Sequence, residues 1–232
     1  MSEKTARTFE QQRCQASVLR SVCRPAWVNS RVRQAAVIVG DASGSMTGGK
    51  AKAASQAISA FAEELAQPCN KGAFDLSLVV FDTSADVRIP LQSATEARTR
   101  LASLDLMKGR GGSTDITCAL LKAEKVIDEA LQRSIDQLRP VAVLFSDGEH
   151  NTGPEPYGVA NRLKEKADLV CVAYGSSHLS VLQRLASTPQ HYYRCKDGRA
   201  LRMFLAAVGA TLTVALSQRS NATQALSNVK SQ

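Results

Sequence analysis

Ala35-Ala36-Val37-Ile38-Val39-Gly40-Asp41-Ala42-Ser43-Gly44-Ser45 is an apolar run that stops at a carboxylate and two hydroxyls. From Ala35 to Val39 it has no polar face, which predicts a strand buried on both sides, as at the centre of a parallel sheet. Such strands deliver their C-terminal loops to a ligand crevice. Asp41, Ser43 and Ser45 then offer three oxygen donors at alternate positions, in a loop loosened by Gly44. Hard oxygens in that pattern suit a small hard cation. The same residues also make an ordinary turn or helix N-cap, so their meaning depends on what the rest of the chain brings to them.

Downstream, helices and strands alternate. Ala54, Ala57, Ile58, Phe61, Ala62 and Leu65 recur at helical spacing and predict an amphipathic helix over 51–66. Phe74 to Phe81 reads as a second buried strand. A short strand over 86–91 contains Pro90, which confines it to a sheet edge, and a helix is expected over 94–104. The loop Lys108-Gly109-Arg110-Gly111-Gly112-Ser113-Thr114-Asp115-Ile116 opens a helix over 117–133. Its glycines permit close backbone approach, and Ser113 or Thr114 would also serve as a simple N-cap. A third apolar strand, 139–147, ends at Ser146-Asp147-Gly148. Two strands that each stop at an aspartate, with a hydroxyl-bearing glycine loop between them, form a constellation. Helices over 155–166, 179–186 and 200–217 and strands over 169–174 and 192–195 complete the pattern. The alternation predicts an α/β fold, a doubly wound, mostly parallel six-stranded sheet covered on both faces, with its site at the C-terminal strand ends.

With these residues in view, the chain resembles the von Willebrand factor A domains over roughly 34–217. Their metal-ion-dependent adhesion site combines Asp-x-Ser-x-Ser, a threonine in a second loop and an aspartate after a later strand. The matching positions are Asp41, Ser43, Ser45, Thr114 and Asp147. Gly112-Ser113-Thr114 stands where many members have Gly-Gly-Thr, so Ser113 competes with Thr114 as the second-loop ligand; Asp115, following Thr114, favours the threonine. The resemblance implies the strand order 3-2-1-4-5-6 and bound Mg2+, with Mn2+ as the alternative. It also implies a protein partner that supplies an Asp or Glu to the metal. Ser146-Asp147-Gly148-Glu149 and the closing Leu201-Arg202-Met203-Phe204-Leu205 segment look like the stand-alone prokaryotic, tellurite-resistance-associated branch. That branch implies a stress-response setting with kinase, phosphatase or ATPase partners.

Composition bounds the alternatives. The 232 residues are 44% hydrophobic, enough to bury one substantial core. Met1 to Gln15 is polar, so no signal peptide is expected, and the apolar stretch from Met203 to Leu216 is interrupted and short for a bilayer. A cytoplasmic location follows as the expectation, with the six cysteines as reduced thiols; none forms a Cys-x-x-Cys pair. Of the net charge of +8, residues 1–33 carry +5, from seven basic residues against two acidic ones. Only Phe9 and Trp27 accompany those arginines, which does not suggest a base-stacking nucleic-acid surface. The division expected is a basic extension over 1–33, with a loose helix ended by Pro25, a domain over 34–217 and a disordered tail over 218–232.

One rival comes from another class. Gly44 to Lys50 has the Gly-x4-Gly-Lys spacing of a phosphate-binding loop and lies between a strand and a helix. Position 51 is Ala, however, so the hydroxyl that should hold the nucleotide's metal is missing. Asp41 lacks the second carboxylate an aspartyl-phosphate phosphatase would use, and no Gly-x-Ser-x-Gly elbow surrounds Ser43 or Ser45. No enzyme activity is expected. His150 is assigned at most a minor part in partner contacts, with Glu149 and Asp115 as rim residues.

Overall fold

The computed structural model describes residues 32–70, 72–102, 111–133, 136–175, 180–218 and 222–229. The expected helix before Pro25 and cysteines 14 and 23 lie outside that set. Six strands form one sheet: β1 (Arg33–Asp41), β2 (Phe74–Phe81), β3 (Ala85–Ser93), β4 (Gln137–Ser146), β5 (Asp168–Tyr174) and β6 (Tyr192–Cys195), in the order β3-β2-β1-β4-β5-β6. All pairings are parallel except β2 with β3. Pro90 lies in β3, the antiparallel edge strand, where its missing N–H costs no ladder bond. A second proline, Pro140, lies in central β4. There the register with β1 shifts between Gln34 and Ala36, and the Gln34 side chain donates to the Arg139 carbonyl at 3.0 Å. The proline is thus absorbed by a bulge.

The helices are α1 (Gly49–Leu65), α2 (Ala94–Leu101), α3 (Ile116–Arg133), α4 (Tyr157–Lys166), α5 (Ser180–Leu185), α6 (Gly198–Gln218) and α7 (Ala222–Leu226). Because side chains alternate across a strand, the sheet feeds two cores. Ala36, Ile38, Val143, Phe145 and Val172 pack with α1 and α6 on one face. Ala35, Val37, Val39, Leu144 and Cys171 pack with α3 and α4 on the other. Both faces are covered, which is why β1 carries no polar residue between Ala35 and Val39. β1 is paired with β2 on one side and β4 on the other, so the chain reverses direction of travel across the sheet there. The C-terminal ends of β1 and β4 flank that switch point, where a crevice opens.

Two expectations change. Helix α6 runs to 21 residues, longer than the interrupted apolar stretch suggested, and is long and apolar enough to cross a membrane by length and composition. In this fold Leu201, Leu205, Val208 and Leu212 are fully buried in the core that also holds Ile58 and Phe61 of α1. The tail is also partly ordered, since α7 docks back on the domain. Leu226 is 1% exposed, and the Tyr193 hydroxyl donates to its carbonyl. Thr223 donates to Asp168 Oδ2 at 2.6 Å, while Arg139 Nε holds Oδ1 of the same carboxylate at 2.9 Å. His191, fully buried, places Nε2 3.1 Å from the Thr223 carbonyl and 3.2 Å from Ser227 Oγ. One apolar anchor and several bonds to distant polar groups leave no periodic signature in so short a helix.

Replacing Leu226 by Ala removes that anchor and is expected to cost roughly 2–4 kcal/mol in urea unfolding. A loss below roughly 0.5 kcal/mol would mean that α7 contributes nothing to the stability of the domain.

Candidate metal centre

Asp41 is the last residue of β1 and is fully buried. Its Oδ1 accepts the backbone N–H of Ser43 at 2.8 Å, and its Oδ2 accepts the hydroxyl of Ser146, the last residue of β4. Burial raises the Asp41 pKa above the usual carboxylate range; the bonds from Ser146 and Ser43 oppose this, and the neighbouring charge of Asp147 adds to it. Asp41 is thus the buried peg that fixes the loop after β1 to the end of β4. After it, Gly44–Met46 forms a single 3-10 turn, closed by Met46 N–H to the Ser43 carbonyl at 2.9 Å and anchored by the buried Met46 side chain.

That turn presents the hydroxyls. Ser43 Oγ and Ser45 Oγ are 3.2 Å apart, and Ser45 Oγ donates to Asp147 Oδ1 at 2.6 Å. Gly44 N–H donates to the Gly112 carbonyl at 3.0 Å, drawing the glycine-rich loop against the first loop. Thr114 is 3% exposed. A Cβ built on Gly148 would lie 3.4 Å from Thr114 Oγ1 and 3.9 Å from Ser45 Oγ, so the threonine hydroxyl borders the same small space and glycine keeps that space open. Ser113 is exposed, and its N–H is bound to Thr83 Oγ1 at 3.0 Å. The geometry therefore favours Thr114 over Ser113.

Residues outside the five hold these loops in place. A Cβ on Gly112 would lie 2.2 Å from Thr83 Oγ1, so only glycine allows the second loop to approach the end of β2. Asp82 accepts the Asp115 N–H on its backbone carbonyl at 2.8 Å. Asn151 Oδ1 accepts the Thr114 N–H at 2.8 Å. His150, read from the sequence as a minor partner contact, instead accepts the Ile116 N–H on Nδ1 at 3.1 Å and so fixes the start of α3. Asp115 caps that helix through the Cys118 N–H at 3.0 Å, and Glu149 receives the Ser180 N–H at 3.2 Å. Lys50, whose Nζ pairs with Asp147 Oδ2, was read from the sequence only as the lysine of a rival phosphate loop, and Ser146 only as the neighbour of Asp147; neither was assigned a part in this site.

The donor set fits a small divalent cation. Among the described residues no three His, Cys, Asp or Glu side chains cluster for a metal; the site brings together hydroxyls and two carboxylates, all hard oxygen. Adjacent oxygens of an octahedron around an ion bound at ~2.1 Å lie about 3.0 Å apart. The 3.2 Å between the Ser43 and Ser45 hydroxyls is near that edge, and Asp147 Oδ1 stands in hydrogen-bond contact with Ser45 at 2.6 Å. A phosphate loop is fitted less well: the Gly44 and Met46 N–H groups that would face a phosphate are spent on carbonyls, and the Lys50 amine is paired with Asp147.

Fold and site together define a doubly wound domain with an oxygen-lined crevice at its switch point. The profile of the von Willebrand factor type A domain matches residues 36–207, and the chain belongs to that family. The fold is similar to a von Willebrand factor type A protein from Catenulispora acidiphila, with TM-score 0.66 and 18% identity over 78% of this chain and 43% of that one. It is also similar to proximal thread matrix protein 1 from the mussel byssus, solved with a zinc-occupied MIDAS motif, with TM-score 0.64 and 19% identity over 80% of this chain and 47% of that one. A third similar structure is the vWF domain of the type V pili tip protein Mfa5 from Porphyromonas gingivalis, with TM-score 0.64 and 12% identity over 81% and 97% of the two chains. The chain thus spans less than half the length of the first two. A comparison with curated proteins gives no match.

Ser146→Ala strips the buried Asp41 Oδ2 of its hydroxyl donor and is expected to lower stability by about 1–3 kcal/mol in chemical denaturation. An unchanged midpoint would mean that Asp41 is held by the Ser43 amide alone.

Proposed function

We propose that the chain is a metal-dependent protein-interaction module and that Ser43, Ser45, Thr114, Asp41 and Asp147 hold Mg2+, with Mn2+ as the alternative. The observation that carries this reading is the convergence of the Ser43 and Ser45 hydroxyls on Asp147 at the switch point, with the Thr114 hydroxyl bordering the same space beside Gly148. The mussel protein's zinc-occupied MIDAS motif supports a divalent cation in such a motif. Zinc itself prefers nitrogen and sulfur ligands, whereas this donor set is all oxygen and favours magnesium.

When bound, a divalent cation supplies positive charge that a carboxylate can join from solvent. The residues set how much of that charge is left. Ser43, Ser45 and Thr114 contribute dipoles without neutralising charge. Asp41 spends both oxygens on protein donors, so its part is to orient the serine loop and add a negative field from behind it. Asp147 is the one carboxylate facing the crevice beside the hydroxyls. Such a centre suits an Asp or Glu of a protein partner. An intracellular stress-response setting, with a kinase, phosphatase or ATPase as the partner, rests on the resemblance to the tellurite-resistance-associated branch and is proposed on that analogy alone.

The chain is proposed to be no enzyme. Ser43 and Ser45 bond to the site itself, while His150 and His191 are bound elsewhere, so among the described residues neither serine is paired with a histidine base. The nucleotide reading is disfavoured by Ala51 and by the spent backbone donors of Gly44 and Met46.

Magnesium at a hundred times its dissociation constant is expected to add about 2.7 kcal/mol of stability, a rise in melting temperature of about 5–10 °C. Asp41→Ala should abolish the rise, and ATP without metal should produce none; equal melting of wild type and Asp41→Ala with magnesium would count against the site. Capture of a protein partner is expected to be lost in EDTA, restored by magnesium and weakened by Ser43→Ala or Thr114→Ala with circular dichroism unchanged. A partner held equally well by Asp41→Ala in EDTA would place the interaction surface elsewhere.

A further inference from the structure

Lys50 is the second residue of α1, within its first turn, which contains no acidic residue. A lysine there lies at the positive end of the helix dipole, an unfavourable place for a cation. What it gains is Asp147, whose Oδ2 pairs with Lys50 Nζ while Oδ1 takes the Ser45 hydroxyl. The two partners differ in exposure: the Asp147 side chain is 1% exposed and that of Lys50 is 46% exposed. Among the described residues no other Lys or Arg pairs with either carboxylate of the site. Asp41 and Asp147 repel one another, and among the described residues this ammonium is the cation paired with one of them.

We infer that Lys50 is a tethered competitor for the divalent ion. Its ammonium neutralises Asp147 when the ion is scarce and must leave Oδ2 when the ion enters, which weakens metal affinity and sets the concentration at which the site fills. This inference rests on the metal-binding reading above. The physical reason for exchange is that a +1 and a +2 charge cannot share one carboxylate at contact distance without strong repulsion. The exit is open, because half of the lysine side chain already lies in solvent and its flexible stem can turn outward. Lys50 thus combines two effects that oppose one another: it holds the loops together at low metal and opposes occupancy at high metal.

Calorimetric titration of the full chain with MgCl2 and MnCl2, comparing wild type, Lys50→Met, Lys50→Gln and Lys50→Arg, tests this. The two neutral variants are expected to bind metal about two- to fivefold more tightly, the scale of one partly exposed ion pair, whereas Lys50→Arg stays near wild type. In EDTA the neutral variants should melt below wild type, and saturating magnesium should remove that deficit. Binding by the neutral variants alone, with none by wild type, would also support the inference. Unchanged or weaker metal binding by both folded neutral variants would overturn it while leaving the metal site intact. No heat of binding for any of the four, with circular dichroism unchanged, would overturn the metal reading itself and this inference with it.

Discussion

The burial of Asp41 is the constraint on which the site depends. A carboxylate with no access to water at the end of a central strand must be met by donors, because an unpaired buried charge is among the costliest groups a fold can contain. The donors it receives come from opposite directions: the Ser43 amide two residues on, and the Ser146 hydroxyl at the end of the neighbouring strand. Satisfying one charge therefore fixes the first loop's turn and its registration against the end of β4. The hydroxyls of Ser43 and Ser45 then stand beside Asp147 as a consequence of how Asp41 is satisfied.

The second loop is held by a different economy. Among its described residues the fixing bonds run mostly to other loops. The Gly112 and Ser113 amides reach toward the Asp82 and Thr83 side chains, the Thr114 amide goes to Asn151, and the Ile116 amide goes to His150. A loop whose backbone is tied to three separate strand ends is positioned far more sharply than its glycine content suggests, since each tie removes an independent freedom. Thr114 is brought to the crevice by its neighbours' bonds, and Ser113, one residue away, is turned out to solvent by the same set.

Charge ties the two loops to α1. Among the described residues the crevice gathers two carboxylates with one paired cation, Lys50, and on the proposed reading a divalent ion would compete with that ammonium for Asp147. On the proposed reading, oxygen ligands that are mostly neutral would leave such an ion electrophilic. The solved structures of similar fold share less than a fifth of their residues with this chain, so the chemistry has to be argued from its own side chains.

The central strands were legible in the linear chain because they follow from burial, whereas their order, seen in the sheet, and the five candidate site positions came from the resemblance to the family. A strand covered on both faces must be apolar throughout, and the residue at which it turns polar marks where it leaves the sheet. Asp41 and Asp147 mark such exits, and Pro90 marks an edge. What only the tertiary structure decided is which donors meet which acceptors among groups far apart in the chain: Ser146 on Asp41, Lys50 on Asp147, Asn151 on the Thr114 amide and His150 at the start of α3. The docking of α7 through Leu226, Thr223 and His191 belongs with these. Periodicity records which face of an element is buried, whereas a hydrogen bond between two loops depends on where a whole sheet carries their ends, and no local pattern encodes that distance.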